Sequence, residues 1–233
     1  MILLNEVFDS ISGEGGGFPQ GTWCRFIRLQ GCNLTCDWCD TKQSNDFFTG
    51  SRFSVKELVK ICEGYDNIFI TGGEPLMQEK ELLLLIKGLV DGGKKIQIET
   101  NGSLPFPPME FIEIIRNKPV NWVVDYKPPS SGMRSLMMPI RELARSLETT
   151  KAIGNKAFVK FVVGDDIDLG MALNVIRQLI DKFQLHDIPY LISPINGEGN
   201  MLKGLIEKIT EKDKGLLNHI VFSVQIHKLF DLK

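Results

Sequence analysis

The stretch Thr22-Trp23-Cys24-Arg25-Phe26-Ile27-Arg28-Leu29-Gln30-Gly31-Cys32-Asn33-Leu34-Thr35-Cys36-Asp37-Trp38-Cys39 joins an apolar run to a group of cysteines. Its first eight residues have the composition of a β-strand. The cysteines that follow have the spacing Cys-x3-Cys-x2-Cys, and thiolates held this close suit a soft metal or an iron–sulfur cluster. A [4Fe–4S] cube normally takes four cysteines. Three local ligands therefore predict a cluster with one iron open to another ligand.

Two other interpretations of the cysteines fit the sequence less well. A structural zinc site usually has two separated ligand pairs, and neither a second Cys-x2-Cys nor a His-x3-His accompanies the first group. A disulfide framework suits a short secreted chain dense in cysteine, whereas this chain has 233 residues and five cysteines. Cys24 and Cys62 are interpreted as small core residues. The predicted cluster ligands are Cys32, Cys36 and Cys39.

The composition is that of an ordinary globular protein, with 43% hydrophobic and 24% charged residues. The length suits one α/β domain over residues 1–233. A formal charge of −2 gives no indication of a nucleic-acid partner. The longest apolar run, Leu82 to Ile86, is too short to span a membrane. Free thiols without a recognisable targeting segment predict a reducing, cytoplasmic location.

Apolar β-rich runs alternate with helical patterns, which predicts a mostly parallel α/β sheet or barrel. A capping box at Ser54–Glu57 predicts a helix start. Residues 79–90 are apolar on nearly every face and predict a buried helix, whereas 168–183 and 201–209 have amphipathic spacing. The predicted strands are 22–29, 67–70, 95–99, 121–125, 157–163 and 188–192. Six such units predict a partial (β/α)6-type barrel, a modified and abbreviated relative of the eight-fold barrel.

Distinctive loops follow five of these six strands. In β/α barrels the chemistry gathers at the carboxyl ends of the strands, so we expect these loops to meet at one rim. Paired glycines in the second loop allow its backbone to approach a ligand closely, although an ordinary strand-to-helix turn has the same composition. The loops are the cysteine loop, Thr71–Pro75, Thr100–Gly102, Lys127–Gly132 and Ser193–Asn196.

The cysteine spacing and Gly72-Gly73-Glu74-Pro75 together resemble the radical S-adenosylmethionine (SAM) superfamily. The flanking segments are similar to those of one family within it, the 7-carboxy-7-deazaguanine synthases. This resemblance runs from Asn5 to the last residue. The chain departs from the family in having Ser12 where Gln is frequent and Ile226 where Thr is frequent. The segments that carry the resemblance are Ser12–Gly15, Phe26–Cys32, Trp38–Thr41 and Gln225–Lys228.

The resemblance implies a radical SAM fold and a lyase activity in queuosine or deazapurine biosynthesis. Such an enzyme converts 6-carboxy-5,6,7,8-tetrahydropterin to 7-carboxy-7-deazaguanine with loss of ammonia. The implied cofactors are a [4Fe–4S] cluster, SAM and Mg²⁺. One electron from the cluster cleaves SAM, the resulting 5′-deoxyadenosyl radical takes a hydrogen from C6 of the substrate, and SAM is regenerated. A flavodoxin or ferredoxin reductant and a homodimer are also implied.

The resemblance further implies which residues bind the cofactors. No residue is expected to be catalytic in its own right, because the radical is generated on SAM. Gly73 is expected at the SAM ammonium, and Trp38 either at the adenine or as a packing lid over the cluster. Thr41 is expected to ligate Mg²⁺, which prefers few protein ligands and several waters, although Thr41 could equally be a helix cap or turn residue. The implied SAM contacts are Trp38, Cys39, Asp40, Gly73, Glu74, Asp125, Tyr126, Lys127, Ser193, Pro194, Ile195 and Asn196.

For the substrate, Arg28 is the residue with an argument of its own. It closes an apolar strand on the same face as Cys24 and Phe26 by the two-residue period. A buried arginine there needs an anionic or polar partner, which is either a structural Asp or Glu or the carboxylate of the pterin. The implied substrate contacts are Ile11, Ser12, Gly13, Glu14, Arg28, Thr71, His227 and the terminal carboxylate of Lys233.

Two rival functions fit parts of the sequence. A glycyl-radical activase is a similarly small radical SAM protein, but it gives no reason for Ser-Gly-Glu-Gly, Cys-Asp-Thr and the late Gln-x-His together. A non-catalytic electron carrier or a zinc-stabilised module would also use clustered cysteines. Stimulation of SAM cleavage by Mg²⁺ and a pterin separates the first rival, and metal analysis separates the second.

Overall fold

One nine-stranded sheet runs through the computed structural model, which describes residues 1–195 and 199–232. The sheet order is β3-β1-β2-β4-β5-β6-β7-β8-β9. The strands are β1 (Ile2–Ile11), β2 (Trp23–Leu29), β3 (Ser51–Phe53), β4 (Asn67–Gly72), β5 (Lys95–Thr100), β6 (Val120–Asp125), β7 (Lys156–Val163), β8 (Tyr190–Pro194) and β9 (Ile220–Phe222). The helices are α1 (Val55–Ile61), α2 (Glu79–Asp91), α3 (Ile112–Ile115), α4 (Ile140–Ala152), α5 (Asp166–Phe183), α6 (Gly199–Asp213) and α7 (Ile226–Leu229).

The six predicted strands are confirmed as one parallel array. β2, β4, β5, β6, β7 and β8 pair in that order, each parallel to its neighbour. β9 extends the array in parallel on one side, and β1 and β3 extend it with antiparallel pairing on the other. The predicted partial (β/α)6 barrel is therefore confirmed, with three additional strands. That residues 1–233 form one domain stays a prediction.

The prediction that residues 79–90 are apolar and buried on nearly every face is wrong in part. α2 buries one stripe of leucine, isoleucine and valine, but Leu84 is 55% exposed. Helix starts agree better with the sequence. Ser54 accepts a hydrogen bond from the Glu57 N–H, and the Glu57 carboxylate accepts from the Ser54 N–H, so the capping box is confirmed. In the described ranges no helix is both long and apolar enough to cross a bilayer.

The two faces of the parallel array differ in chemistry. Side chains alternate along a strand, so Ile27, Ile70 and Ile98 share the face that packs in the main aliphatic core. The opposite face, here called the cavity face, carries Phe26, Phe69 and a set of polar groups. The Phe26 ring stacks on Phe69 with centroids 4.4 Å apart. The polar members of the cavity face include Arg28, Thr71, Gln97, Glu99, Asn121, Asp125 and Lys160.

The loop after β1 crosses the cavity face. The N–H of Phe18 donates to Gln97 Oε1 at 2.8 Å, and Gln97 Nε2 donates to the Gly15 carbonyl at 3.3 Å. A Cβ on Gly17 would lie 2.3 Å from Asn121 Cβ, so the loop can lie this close only where a side chain is missing. The loop thereby brings Gly13 and Glu14 to the carboxyl ends of the strands.

Candidate active site

The three cysteines of the motif lie in one loop and open into one cavity at the carboxyl ends of the strands. Two backbone bonds fix the entry to the loop, from the Gly31 N–H to Ser44 at 2.8 Å and from the Cys32 N–H to Asn45 at 2.9 Å. Cys32 Sγ accepts from the Leu34 N–H at 3.4 Å and from Asn101 Nδ2 at 3.7 Å. Donors aimed at sulfur are the surroundings that tune an iron–sulfur cluster.

Burial raises the pKa of the Cys36 thiol to about 11, and it also raises the pKa of Cys32. In the metal-free chain these thiols therefore hold their protons at neutral pH, and a strong Lewis acid is needed to displace them. The Lys127 ammonium acts in the opposite direction on Cys36. Thiols of one loop, sulfur-directed N–H donors and a neighbouring cation fit a [4Fe–4S] cluster.

Gly72 and Gly73 hold their loop against the cysteine loop. A Cβ on Gly73 would lie 2.3 Å from the Gly31 carbonyl oxygen, and Gly72 has φ of +151°. The Glu74 N–H donates to the same Gly31 carbonyl at 2.8 Å. The paired glycines therefore permit two loops to touch, and both glycines also line the cavity.

The Glu74 side chain points into the structure behind the cavity. Its carboxylate accepts from the Leu76 N–H at 2.9 Å, from Thr100 Oγ1 at 2.9 Å and from the Asn101 N–H at 2.6 Å. Burial raises the pKa of Glu74 to about 7. The carboxylate thus fastens the loop after β4 to the loop after β5, and any contact of Glu74 with SAM stays a prediction.

A group of half-buried acids surrounds the buried Lys160 at the centre of the cavity face. Its Nζ contacts Glu14, and it lies 3.5 Å from Asp125 Oδ2 and 3.8 Å from Glu99 Oε1. Lys127 Nζ binds the same Asp125 oxygen at 2.8 Å. Burial, together with the charges of Glu14 and Asp125, raises the pKa of Glu99 to about 7, against the opposing effect of Lys160.

The charges in this group act differently on Asp125. Burial would raise the pKa of this carboxyl, but Lys127 and Lys160 outweigh burial and lower it. Asp125 Oδ1 is buried, and it has no hydrogen-bond partner in the described residues. One carboxylate of the group is thus kept charged while a second, Glu99, can take up a proton near neutral pH.

Lys160 and Glu99 were missed by the sequence predictions. Lys160 is the one charged residue inside the apolar run Ala157–Val163, and that position in a strand was the available signal. Glu99 ends a predicted strand in the same way. Asn101, Gln225 and Lys228 also line the cavity without having been singled out individually.

Arg28 lies on the cavity face as predicted, and it has a structural acid beside it. Its Nε donates to Glu6 Oε1 at 2.9 Å, and its guanidinium lies 5.2 Å from the centre of the Phe8 ring. Arg28 also lines the cavity. The structural salt bridge expected as one alternative is therefore present, and a contact with substrate stays a prediction.

The predicted substrate residues from the two ends of the chain meet at this cavity. Ile11, Gly13, Glu14, Thr71 and His227 all line it. Burial lowers the pKa of His227, so its ring is neutral at pH 7, and its Nδ1 is buried without a hydrogen-bond partner in the described part of the chain.

Other groups predicted to contact the substrate already form hydrogen bonds within the protein. The Ser12 N–H donates to Thr22 at 2.8 Å, and the Ser12 carbonyl accepts from Gly21 at 2.9 Å. The Glu14 carboxylate accepts from Lys160 and from Gln225 Nε2. Lys233 lies outside the described residues.

Thr41 lines the cavity two residues after the last cysteine. Its carbonyl accepts from the Ser44 N–H at 2.9 Å, so it does begin a short turn. Its hydroxyl makes no capping bond and lies 3.7 Å from Cys39 Sγ. The hydroxyl therefore does not cap the turn, and its binding to a metal ion stays a prediction.

The predicted SAM contacts divide into cavity and wall. Trp38, Asp40, Asp125, Lys127 and Ile195 line the cavity together with Cys39 and Gly73. Tyr126, Ser193 and Pro194 are buried in the wall, where the Tyr126 hydroxyl donates to Met138 at 2.7 Å. Asn196 lies outside the described residues. A wall position leaves the backbone as the group able to reach a ligand.

A loop of three thiols at the rim of a partial β/α barrel defines the class, that of radical SAM enzymes. The model of the Radical SAM superfamily matches residues 26–125. The chain is 37% identical to the 7-carboxy-7-deazaguanine synthase of Methanospirillum hungatei over 83% of this chain and 73% of that protein. It is 33% identical to the synthase of Clostridium acetobutylicum over 96% of this chain and 93% of that protein.

The chain belongs to the family of 7-carboxy-7-deazaguanine synthases. Its fold is also similar to that of QueE from Escherichia coli, with a TM-score of 0.61 and 22% identity over 96% of this chain and 93% of that one. Membership of the superfamily implies a [4Fe–4S] cluster and SAM, and the three thiols described above fit that cluster.

Proposed function

We propose that this chain converts 6-carboxy-5,6,7,8-tetrahydropterin to 7-carboxy-7-deazaguanine with loss of ammonia. One observation carries the proposal. Arg28, Thr71 and His227 open into the same cavity as the three cysteine thiols. A molecule bound by the first group would therefore lie beside a cofactor held by the second. The names of the relatives supply the particular substrate and product.

The residues of the cavity suit the chemistry of a carboxylated pterin. A pterin presents several N–H donors along one edge, and Glu99 supplies an acceptor at the cavity face beside Glu14, whose carboxylate already accepts from Lys160 and Gln225. The carboxylate of the pterin is an anion that a guanidinium or a metal ion can bind. The neutral ring of His227 also lines the cavity and can present a polar edge to the substrate. The substrate is thereby oriented by polar contacts from opposite sides.

The cofactors fit the other side of the cavity. Cys32, Cys36 and Cys39 would hold the cluster, and Gly73 and Trp38 would contact SAM. When bound, the cluster and SAM would supply one-electron radical chemistry at this side of the cavity. The chain itself must then fix the distance between SAM and C6 of the substrate and keep other hydrogen donors away. The contact of the two loops at Gly31 and Gly73 sets the position of the Gly73 loop against the cysteine loop.

We also propose Thr41 as a ligand of Mg²⁺, which would bind the substrate carboxylate. The uncapped hydroxyl at the cavity supports this assignment. Thr41→Ala is expected to raise the Mg²⁺ concentration needed for half-maximal rate, and Thr41→Ser is the matched control because it keeps the hydroxyl. An unchanged Mg²⁺ response in Thr41→Ala would remove the metal assignment. A homodimer, a cytoplasmic location and a flavodoxin or ferredoxin reductant complete the proposal.

The test is product analysis under anaerobic conditions. The chain is reconstituted with iron and sulfide, incubated with SAM, dithionite, Mg²⁺ and the tetrahydropterin, and analysed by mass spectrometry for 7-carboxy-7-deazaguanine. Cys36→Ala is expected to lose cluster absorbance and product, whereas Cys62→Ala, a buried cysteine outside the cavity, keeps both. Cleavage of SAM without this product would refute the proposed substrate. Failure to cleave SAM would refute the assigned cluster site.

A further inference from the structure

A chain of hydrogen bonds leads from the cysteine loop to the start of α5. Trp38, between two of the cysteines, donates from Nε1 to Ser130 Oγ at 3.1 Å. Ser130 donates from Oγ to Asp168 Oδ2 at 2.5 Å and from its backbone N–H to Asp168 Oδ1 at 3.0 Å. Asp168 is fully buried. None of the residues predicted at the site accounts for this carboxylate.

Capping of α5 does not explain the contacts of Asp168 with Ser130. The N-cap is Asp165, whose Oδ1 accepts from the N–H groups of Ile167 at 2.9 Å and Asp168 at 2.8 Å. The Asp168 carboxylate accepts one local bond, from the Gly164 N–H at 2.9 Å. Its bonds to Ser130 cross to another loop, and the positive end of α5 stabilises the charge that accepts them.

The direction of these hydrogen bonds, from Trp38 to Ser130 to Asp168, follows from which groups carry protons. A serine hydroxyl has one proton, and a carboxylate can only accept it. Because Ser130 Oγ donates its one proton to Asp168, it can act toward Trp38 only as an acceptor, and the indole N–H donates to it. Each bond polarises the next, so the carboxylate strengthens the hold on the indole.

The loop that carries Ser130, residues 127–132, contacts the cysteine loop at two further points. The Asp37 N–H donates to the Ser131 carbonyl at 3.1 Å, and Lys127 Nζ lies 4.9 Å from the centre of the Trp38 ring. The indole is therefore held at its edge by Ser130 and on one face by a cation. A ring held in both ways has one orientation toward the cavity that it lines.

We propose that Asp168 is a positioning residue that fixes the Trp38 ring through Ser130 as a wall at the cofactor side of the cavity. The hold on the ring is a property of the chain alone. Its benefit for SAM, a flat surface against the adenine, rests on the proposed function. Asp168 contacts no ligand in this scheme.

The first test is tryptophan fluorescence of the full-length, iron-free chain. Subtracting the spectrum of the matching Trp38→Phe chain isolates Trp38 from Trp23 and Trp122. Ser130→Ala and Asp168→Asn are expected to shift the Trp38 emission to the red and to about double its quenching by acrylamide, because the freed ring moves and meets water. Ser130→Thr restores the parent signal, since it keeps the hydroxyl. Asp165→Ala removes the cap of α5 and leaves the Trp38 signal unchanged.

The second test is steady-state kinetics of the reconstituted enzyme. Ser130→Ala is expected to raise KM for SAM about three- to tenfold, with kcat within about twofold, which is the scale of one lost hydrogen bond. Asp165→Ala is expected to leave both KM for SAM and kcat unchanged. A KM and kcat that fall or rise together in Ser130→Ala would contradict positioning at SAM.

The outcomes separate this proposal from the proposed function. If Trp38 emission and quenching in Ser130→Ala equal those of the parent, the proposal is wrong whether or not product forms, and this holds even if Asp168→Asn fails to fold. If Asp165→Ala moves Trp38 as far as the other variants do, the contacts are merely structural and the proposal is wrong. If Trp38 is released as expected while the parent enzyme makes no 7-carboxy-7-deazaguanine, the proposed function fails and the positioning of Trp38 stands.

Discussion

Replacing Lys160 by methionine tests the buried charge group directly. The Lys160 side chain is 5% exposed, and it is the cation shared by Glu14, Asp125 and Glu99. Methionine fills similar space without charge. Removing one partner of a buried ion pair leaves uncompensated charge, which costs about 3–5 kcal/mol. We expect the free energy of unfolding to fall by this amount at pH 8.

The loss should depend on pH in a definite direction. Burial and like charges already raise the pKa of Glu99 to about 7, and Lys160 opposes that rise. At pH 5 Glu99 is therefore protonated with or without Lys160, and the variant carries one uncompensated charge fewer than it does when Glu99 is ionised. Lys160→Met is therefore expected to be less destabilised at pH 5 than at pH 8.

Urea unfolding of the iron-free chain at the two pH values is the assay. Lys87→Met is the matched control, because Lys87 pairs with Asp91 at 2.6 Å on the surface, where the two side chains are 53% and 62% exposed. Its loss should stay below about 0.5 kcal/mol. Adding Glu99→Gln to Lys160→Met should restore part of the stability at pH 8. If Lys160→Met is within about 1 kcal/mol of the control at pH 8, the shared role of Lys160 is refuted.

Three further predictions use single substitutions. Because the folded chain raises the pKa of Glu74 from 4.5 to about 7, the parent should lose about 3 kcal/mol of stability as pH rises through that window, and Glu74→Gln should lack this loss in urea unfolding. Ser54→Ala should lower the free energy of unfolding by about 1 kcal/mol, since it removes one half of a capping box; Ser54→Asn, which can still cap, should not. Arg28→Gln should raise KM for the tetrahydropterin about 10- to 100-fold, as expected for a lost charge-assisted bond, whereas Arg25→Gln on the opposite face of β2 should affect stability without this change in KM.

The sequence predicted the parallel strands because each is a local apolar run. It did not predict β1, in which Glu6 and Asp9 interrupt the pattern. These acids lie opposite Arg28 and Arg25 on β2, so their fit to a strand depends on a partner sixteen or more positions away. β3 and β9 have three residues each, too few to form a pattern.

The site divides in the same way. The cysteine loop is contiguous, so its spacing alone predicts the ligands. The group around Lys160 draws on residues that lie far apart in sequence, and period-two counting shows at most that one lysine lies in an apolar strand. The sequence also does not show which polar groups face the cavity and which bond to other parts of the protein. Glu74 is an example, because it bonds to Thr100 and Asn101 in a loop that it meets only in the folded chain.

The contacts of Glu14 also set the order in which the enzyme can be built. Its carboxylate accepts from Gln225, 211 positions later, and its carbonyl accepts from Ser223. Gly13 is joined to Ile226 in the same way. While a ribosome is still making the second half of the chain, the cysteine loop has already emerged but one side of its cavity has not. Cluster delivery during synthesis would therefore meet a cleft that lacks one side, and delivery after release would meet a cavity in which that side is in place.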